Sequence, residues 1–114
     1  MLPIKHRLDR KSFNILFKSG KKLSFPFFVL IYRRENIIKR ESKFGFVISS
    51  KISKKAVVRN KLKRRTKAVI LELLKNFLAP CRIIFIFKKE CLALSFKELE
   101  AEIISAFKKI GIII

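Results

Sequence analysis

A chain of 114 residues is long enough for one domain with a small core, and a hydrophobic content of 50% excludes an intrinsically disordered chain. Its 28 Lys and Arg residues against 8 Asp and Glu residues give a formal net charge of +20, which is self-repulsive in a compact fold. A polyanionic partner would relieve this repulsion, so the composition favours a nucleic-acid-binding protein over a merely basic soluble protein or a membrane-surface protein.

The start of the chain has no sign of a targeting segment. No apolar run approaches the ~18 residues of a membrane span, and the first apolar residues are followed at once by Lys5, His6 and Arg7. We therefore expect neither a signal peptide nor a membrane anchor, and we expect a cytoplasmic protein. Residues 1–8 are predicted to form a flexible basic arm with a solvated His6, at the start of a single domain over residues 1–114.

The first predicted helix runs from Asp9, which can cap its N-terminus, to about Lys18, and Gly20 follows its end. Phe13 and Phe17 lie one turn apart, so they share a face of this helix. Spacing alone leaves two interpretations open: the rings either belong to the core or form an exposed aromatic platform.

Two β-rich segments follow. Residues 23–34 are predicted to form a strand, with Pro26 confining its start to an edge or a bulge. After a polar turn region, residues 43–49 are predicted to be the antiparallel partner of that strand. Gly45 within this partner is typical of a bulge or of a close backbone approach.

The basic segment over residues 51–67 organises the rest of the chain. Nine of its 17 residues are Lys or Arg and none is acidic, while apolar residues recur at helical spacing. We predict a helix from about Lys54 or Ala56 to Leu78, ended by Pro80. The apolar side of this helix holds Val58, Leu62, Thr66, Val69, Leu73 and Phe77, and its opposite side holds Asn60, Lys61, Arg64 and Lys67. The helix therefore has one face that anchors it and one face that attracts anions.

The C-terminal part of the chain completes the fold class. Residues 82–87 are almost continuously apolar, which is typical of a buried strand. A strand, a long helix and a second strand form a βαβ-like unit, so we predict an α+β or α/β fold with a small mixed sheet. The last helix starts at a capping box of Ser95 and Glu98 and stops at Gly111. Cys81 and Cys91 are interpreted as small buried apolar residues rather than as a disulfide or a reactive pair.

Catalytic side chains are hard to find in this sequence. His6 is the only histidine, no Gly-rich phosphate loop is present, and the acids Asp9, Glu35 and Glu41 are scattered. A protein nuclease normally needs carboxylates that hold metal ions, or a histidine acid/base pair. We therefore predict no catalytic residue and no metal site in the polypeptide.

The side chains that are present suit RNA. Arginine forks onto phosphates, lysine supplies mobile charge, and Asn60 can hydrogen-bond a backbone or a base edge. Exposed aromatic rings would stack on single-stranded bases. The charge pattern indicates a polyanion, but by itself it leaves the choice between RNA and DNA open.

Residues 56–65 carry a recognisable motif. Their sequence, Ala-Val-Val-Arg-Asn-Lys-Leu-Lys-Arg-Arg, resembles the Ala-Val-x-Arg-Asn-Arg-x-Lys-Arg motif of the bacterial ribonuclease P protein subunit, with Lys61 in place of the last Arg of the triplet. The order of the predicted elements before and after the motif is also similar to that of this family, so the resemblance covers most of the chain.

The resemblance implies an α+β fold: a two-layer α/β sandwich with a small mixed sheet and a left-handed βαβ crossover, as in the second domain of ribosomal protein S5. Physical reasoning alone would not have chosen that hand, since about 98% of parallel crossovers are right-handed. The family also implies a division of labour, in which an RNA subunit holds Mg²⁺ ions and cleaves precursor tRNA to release the 5′ leader. The protein would bind no cofactor itself. Its partners would be the ribonuclease P RNA and precursor tRNA, with no membrane and no obligate protein partner.

The resemblance also assigns site residues. Ten residues would bind RNA: Lys51, Lys54, Lys55, Arg59, Asn60, Lys61, Lys63, Arg64, Arg65 and Lys67. Three phenylalanines would line a cleft for the leader: Phe13, Phe17 and Phe28. The expected function is the protein subunit of ribonuclease P, the endoribonuclease of tRNA 5′ maturation. A structural RNA-binding protein such as a ribosomal protein is the alternative, and the missing catalytic side chains disfavour a protein-only nuclease.

Overall fold

The computed structural model of the protein describes residues 2–35 and 41–114. Within these ranges, three α-helices and four strands are joined by loops and short 3-10 helices. The helices are α1 (Arg10–Ser19), α2 (Ala56–Leu73) and α3 (Phe96–Lys109), and the strands are β1 (Lys21–Ser24), β2 (Phe28–Arg34), β3 (Lys43–Val47) and β4 (Cys81–Phe87). None of the helices in these ranges combines the length and the hydrophobicity needed to span a lipid bilayer.

The four described strands form one mixed sheet in the order β1-β2-β4-β3. β2 is antiparallel to both β1 and β4, and β3 is parallel to β4. The prediction that residues 43–49 pair antiparallel with the preceding strand is wrong, because β4 lies between β2 and β3. The parallel strands β3 and β4 are joined through α2, which confirms the predicted βαβ-like unit and the α+β class.

The β-rich run over residues 23–34 folds as part of a hairpin rather than as one strand. β1 ends at Ser24, β2 begins at Phe28, and the Phe25 amide donates to the Phe28 carbonyl at 2.8 Å across the turn between them. Pro26 lies within this turn, where its missing N–H costs no ladder hydrogen bond. Pro26 thus marks a reversal of the chain, and β1 is a strand that sequence reasoning did not separate from β2.

One face of the sheet carries the main core, under α2 and α3. Aromatic rings meet there: the ring centroids of Phe28 and Phe85 are 5.5 Å apart, and those of Phe85 and Phe107 of α3 are 5.9 Å apart. The buried residues of α2 include four that were predicted from their spacing: Leu62, Thr66, Val69 and Leu73. The amphipathic pattern therefore anchors α2 as expected.

The end of α2 differs from its predicted limit at Leu78. The helix stops at Leu73 and a 3-10 turn at Leu74–Asn76 follows it. Phe77 lies beyond the helix, but its ring still reaches the core, where it meets the Phe44 ring edge to face at a centroid distance of 6.0 Å. The apolar residue at this position is thus explained by packing after the helix rather than within it.

The opposite face of the sheet is only partly covered, and α1 is the element that packs on it. Leu16 of α1 packs with Ile31 and Ile84, and all three are almost fully buried. Gly45 of β3 lets the helix come close, since a Cβ atom there would lie 2.7 Å from Cδ2 of Phe13. The close approach predicted at this glycine is thus made by an aromatic side chain of α1.

Local capping signals form as predicted in α1 and α3. The Asp9 carboxylate accepts a hydrogen bond from the Ser12 amide at 2.7 Å. Ser95 and Glu98 form both hydrogen bonds of a capping box. Gly111, just past the end of α3, has a φ of 81°, a left-handed conformation that glycine adopts at little cost.

Residues 2–8 pack against the sheet, which corrects the prediction of a flexible arm. Leu2 is fully buried in the main core. His6, predicted to be solvated, is 7% exposed, and its Nδ1 lies 2.7 Å from the Ser42 carbonyl oxygen. The Leu8 amide donates to the Phe44 carbonyl at the outer edge of β3. The buried Leu2 side chain and the hydrogen bond to β3 therefore hold residues 2–8 in place, although the basic composition of this segment predicted a flexible arm.

Candidate RNA interface

The basic segment enters α2 through a loop that is held by serine hydroxyls. The Lys51 amide donates to Oγ of Ser49 at 3.1 Å, and the Lys55 amide donates to Oγ of Ser53 at 3.2 Å. Lys55 is the N-cap residue of α2, but its side chain makes no capping bond, and the first turn of the helix contains no acid. The start of α2 therefore carries positively charged side chains in addition to the positive end of the helix dipole.

The ten residues predicted to bind RNA differ in exposure. Six are exposed to solvent: Lys51, Lys54, Lys55, Asn60, Lys61 and Arg64. Four are half-buried: Arg59, Lys63, Arg65 and Lys67. The ion pairs of the described residues join Glu35 to Arg33 and Arg82, and Glu72 to Lys75, so none involves these ten. In the described part of the chain, this surface is an uncompensated positive field that attracts polyanions.

Arg59, the first residue of the motif triplet, points back to the loop before α2. Its Nη1 donates to the Ser53 carbonyl oxygen at 2.6 Å. A guanidinium carries five N–H donors, so this bond leaves other donors for a phosphate. Arg59 thereby fixes the loop that carries Lys54 and Lys55 to the first turns of the helix.

The other motif side chains lie on two flanks of α2. One flank has a shallow depression of about 290 Å³, lined by Asn60, Lys63, Arg64 and Lys67. The other flank carries Lys61 and Arg65, which border a groove towards the start of α3. The structure therefore divides the predicted RNA-binding residues between two directions around one helix.

Positive charge is crowded where α2 passes over β3. Nζ of Lys67 lies 5.7 Å from the centroid of the Phe46 ring, a cation–π contact. Burial lowers the pKa of Lys67, and the positive charges of Arg7 and Lys63 lower it further. Arg7 therefore belongs to the same basic surface. Sequence reasoning placed Arg7 in a flexible arm, and only the packing of residues 2–8 on β3 reveals its place.

A second candidate surface lies on the α1 face of the sheet. Val29, Ile86 and Val47 stand in one row across β2, β4 and β3, and all three are half-buried. In the next row, Ile31 and Ile84 are buried under α1. α1 therefore covers the row of Ile31 and Ile84 and leaves the row of Val29, Ile86 and Val47 open. We call the open row, together with the phenylalanines of α1, the apolar trough.

Phe13 and Phe17 form the aromatic wall of the apolar trough. Their rings are stacked with centroids 6.1 Å apart, and Phe17 is 49% exposed. The other flank of α1 faces the C-terminal end of β2, where Ser19 and Arg33 line one depression. Both sequence interpretations therefore hold in part: Phe13 packs over β3, and Phe17 is an exposed platform.

Phe28 was predicted to line a leader cleft together with Phe13 and Phe17. In the structure, it does not belong to the apolar trough that those two residues border. It is 1% exposed, and its ring packs in the main core against those of Phe85 and Phe87. Side chains alternate between the two faces of a strand, so the neighbouring Val29 points to the α1 face instead. Sequence reasoning missed Val29, and strand alternation would have identified it once the buried face of β2 was known.

Asp9 and the two thiols have structural roles. The described residues contain no group of three or more His, Cys, Asp or Glu side chains that could hold a metal ion. Asp9 caps α1, and its hydrogen bonds from Ser12 lower its pKa. Cys81 and Cys91 are free and buried, as predicted, and burial raises the pKa of both thiols to about 11. Both thiols are therefore protonated and poorly nucleophilic at neutral pH.

Sequence comparisons connect this architecture to known proteins. A statistical model of the family described as Ribonuclease P matches residues 2–111 of the chain. A ribonuclease P protein component from Synechococcus sp. (strain JA-2-3B'a(2-13)) is 33% identical over 120 aligned positions, which cover 100% of this chain and 88% of that relative. A ribonuclease P protein component from Microcystis aeruginosa is 36% identical, over 98% of this chain and 96% of that relative.

Solved structures show the same fold. The RNase P protein from Thermotoga maritima superposes with a TM-score of 0.79 at 27% identity, over 90% of this chain and 96% of that chain. A Staphylococcus aureus RNase P protein mutant with defective mRNA degradation activity superposes with a TM-score of 0.83, over 94% of this chain and 89% of that chain. At 19% identity, the second match shows the fold alone. The motif on α2, the mixed sheet and these matches together place the chain in the ribonuclease P protein family, to which it belongs.

Proposed function

We propose that this protein acts as the protein component of ribonuclease P and binds the ribonuclease P RNA through α2. The observation that carries the proposal is the basic surface around α2, which has no carboxylate partner among the described residues. Buried residues such as Leu62 and Val69 fasten the helix to the core. The charges therefore stand on a rigid element, which is what a specific interface for a folded RNA requires.

We further propose that the 5′ leader of precursor tRNA lies in the apolar trough. Single-stranded bases stack on exposed aromatic rings without strong sequence preference, and Phe17 offers such a ring. The half-buried Val29 and Ile86 provide an apolar floor. On the edge strand β1, Lys22 and Ser24 pair with Ile31 and Val29, and both are exposed beside this floor. A flexible leader would thus find stacking, apolar contact and charge in one place.

In this division of labour, the RNA subunit holds the Mg²⁺ ions and hydrolyses the phosphodiester bond, and the protein supplies binding. Among the described carboxylates, Asp9 caps α1 and Glu35 pairs with Arg82, and the two thiols are protonated. The complex would act in the cytoplasm on precursor tRNA.

Reconstitution tests the proposal. The purified protein should lower the Mg²⁺ concentration that a ribonuclease P RNA needs for cleavage, and the complex should bind precursor tRNA more tightly than mature tRNA. The Phe17→Ala variant should lose much of this preference. Phe96→Ala is the matched control, because Phe96 is a 39% exposed phenylalanine on α3, on the opposite face of the sheet.

Two outcomes would contradict the proposal in different ways. A protein that has no effect on the ribonuclease P RNA would refute the role in the enzyme. A Phe17→Ala variant that retains the full preference for precursor tRNA would refute the leader assignment. In that case, only the proposed RNA-binding role of α2 would remain, and a structural RNA-binding function would be favoured.

A further inference from the structure

A third concave surface lies between α2 and the segment that leads into α3. It has a volume of about 300 Å³, and its lining is mostly apolar. Val57 and Leu62 contribute from α2, and Cys91, Leu92 and Leu94 contribute from the other side. We call this surface the α2–α3 groove. It lies on the flank of α2 away from the depression lined by Asn60 and Arg64.

The α2–α3 groove combines a buried apolar floor with open apolar walls. Leu62 and Cys91 are buried at 6% and 2% exposure and form the floor. Burial raises the pKa of the Cys91 thiol to about 11, so the floor carries no charge at neutral pH. Val57 is 79% exposed although it stands in the first turn of the basic helix, and Leu92 is 37% exposed. Single exposed apolar residues need no explanation, but here two of them line one concavity.

Two cations stand at the border of the groove. Lys61 and Arg65 are four residues apart, so they lie one above the other on the same edge of α2. Neither takes part in an ion pair of the described residues. The site therefore offers an uncharged apolar slot with two positive charges beside it.

A nucleotide has the matching chemistry. Its base has flat apolar faces, and its phosphates are anionic, so one molecule can use the slot and the cations together. An acidic peptide would also suit the two cations. However, the two cations belong to the basic helix that is proposed to bind RNA, so a nucleotide of that RNA is the occupant that the charges favour.

We propose that the α2–α3 groove binds one unstacked nucleotide of the ribonuclease P RNA, with the base against Val57 and Leu92 and the adjoining phosphates on Lys61 and Arg65. The inference rests on the proposed function, because it extends the RNA surface of α2 to a second flank. A volume of about 300 Å³ is at the small end of ligand pockets, which suits one base rather than a stacked pair.

Paired substitutions separate the apolar contact from the charges. Leu92→Gln removes an apolar wall without changing the net charge. It should weaken binding to the ribonuclease P RNA about three- to tenfold and leave the salt dependence unchanged. The double variant Lys61→Gln and Arg65→Gln should instead lower the slope of log affinity against log salt by about 1 to 2. Leu78→Gln is the matched control, since Leu78 is 55% exposed and borders a different depression with His6. Equal affinities for the Leu92→Gln and Leu78→Gln proteins would overturn the inference.

Photo-cross-linking gives a readout that does not depend on affinity. A benzophenone amino acid in place of Leu92 should attach to one nucleotide or two adjacent nucleotides of the ribonuclease P RNA, and the same probe in place of Leu78 should not. Scattered attachment, no attachment, or attachment to a second copy of the protein would overturn the inference. If Arg64→Ala weakens RNA binding but the position-92 probe finds no nucleotide, only the groove assignment fails. If the unmodified protein does not bind the RNA, the proposed function fails as well.

Discussion

Replacing Gly45 by alanine would push directly on the aromatic wall of the apolar trough. The added Cβ atom would lie 2.7 Å from Cδ2 and 2.9 Å from Cε2 of Phe13, distances that real Cβ contacts essentially never show. The ring must move by about 0.7 Å before an ordinary contact of 3.4 Å is restored. Phe13 stacks on Phe17, so the displacement reaches the exposed ring of the trough.

The size of the effect follows from packing. Inserting a methyl group into a well-packed site costs roughly 1–3 kcal/mol. Phe13 is half-buried and can yield towards solvent, so we expect about 1–2 kcal/mol, in the lower part of that range. For a domain of this length, such a loss lowers the melting temperature by roughly 5–10 °C. Base stacking on an aromatic ring contributes about 1–3 kcal/mol, so a displaced pair should weaken leader-dependent binding about three- to tenfold.

Thermal unfolding and tRNA binding measure the two effects separately. Unfolding is followed by circular dichroism, and binding is compared between precursor and mature tRNA in the reconstituted complex. In the Gly45→Ala background, Phe13→Leu removes the ring that the new methyl group meets, so the double variant should recover stability but not leader binding. A Gly45→Ala protein with unchanged melting temperature would refute the packing of Phe13 on β3. A protein that is less stable but keeps the full preference for precursor tRNA would refute the role of the aromatic wall.

Three further predictions concern a charge, a cap and a thiol. Arg64→Ala should weaken RNA binding, lower the salt slope by about 1, and change the free energy of unfolding by less than about 0.5 kcal/mol, because Arg64 is exposed. The same change at the exposed Lys97 of α3 should have little effect on RNA binding. The lowered pKa of Asp9 means that its cap stabilises the fold above its ordinary pKa of 3.8, and that this stability is lost as the pH falls through the lower folded value. Asp9→Asn should therefore flatten the acid end of a stability curve from urea unfolding, and an unchanged curve would argue against the cap. The Cys91 thiol, with its pKa raised to about 11, should be alkylated by iodoacetamide much more slowly in the native protein than in urea, as mass spectrometry would show. Fast native modification would contradict its burial.

Local signals allowed the helices to be predicted from the sequence. The cap at Asp9 and the capping box at Ser95 act over three residues, so their hydrogen bonds depend on nothing distant in the chain. The two faces of α2 follow from helical spacing in the same way. The motif on α2 then suggested candidate RNA-binding residues through a resemblance to a family, and the comparisons confirm that the chain belongs to that family.

Strand pairing could not be predicted in the same way. β3 follows β2 in the chain but pairs with β4, and that choice depends on contacts made after α2 has folded back over the sheet. The face of each strand residue also depends on register, because a shift of one residue turns every side chain over. The resemblance assigned Phe28 to a leader cleft, and without the register the sequence could not show that Phe28 points into the core while Val29 points to the α1 face. His6 and Arg7 were misplaced for a related reason, since their environment is set by β3 and α2.

α2 and the apolar trough lie on opposite faces of one sheet, so the sheet separates the two surfaces that are proposed to bind RNA. A single RNA strand cannot contact both surfaces without passing around an edge of the sheet. The backbone of residues 7 and 8 covers the outer edge of β3, since Arg7 and Phe44 form a β-bridge there. The side chain of Arg7 stands at that edge, close enough to Lys67 to lower its pKa. Under the proposed function, two separate RNA molecules would lie on the two faces of the sheet, and the thickness of the sheet would set the distance between the ribonuclease P RNA and the leader of precursor tRNA.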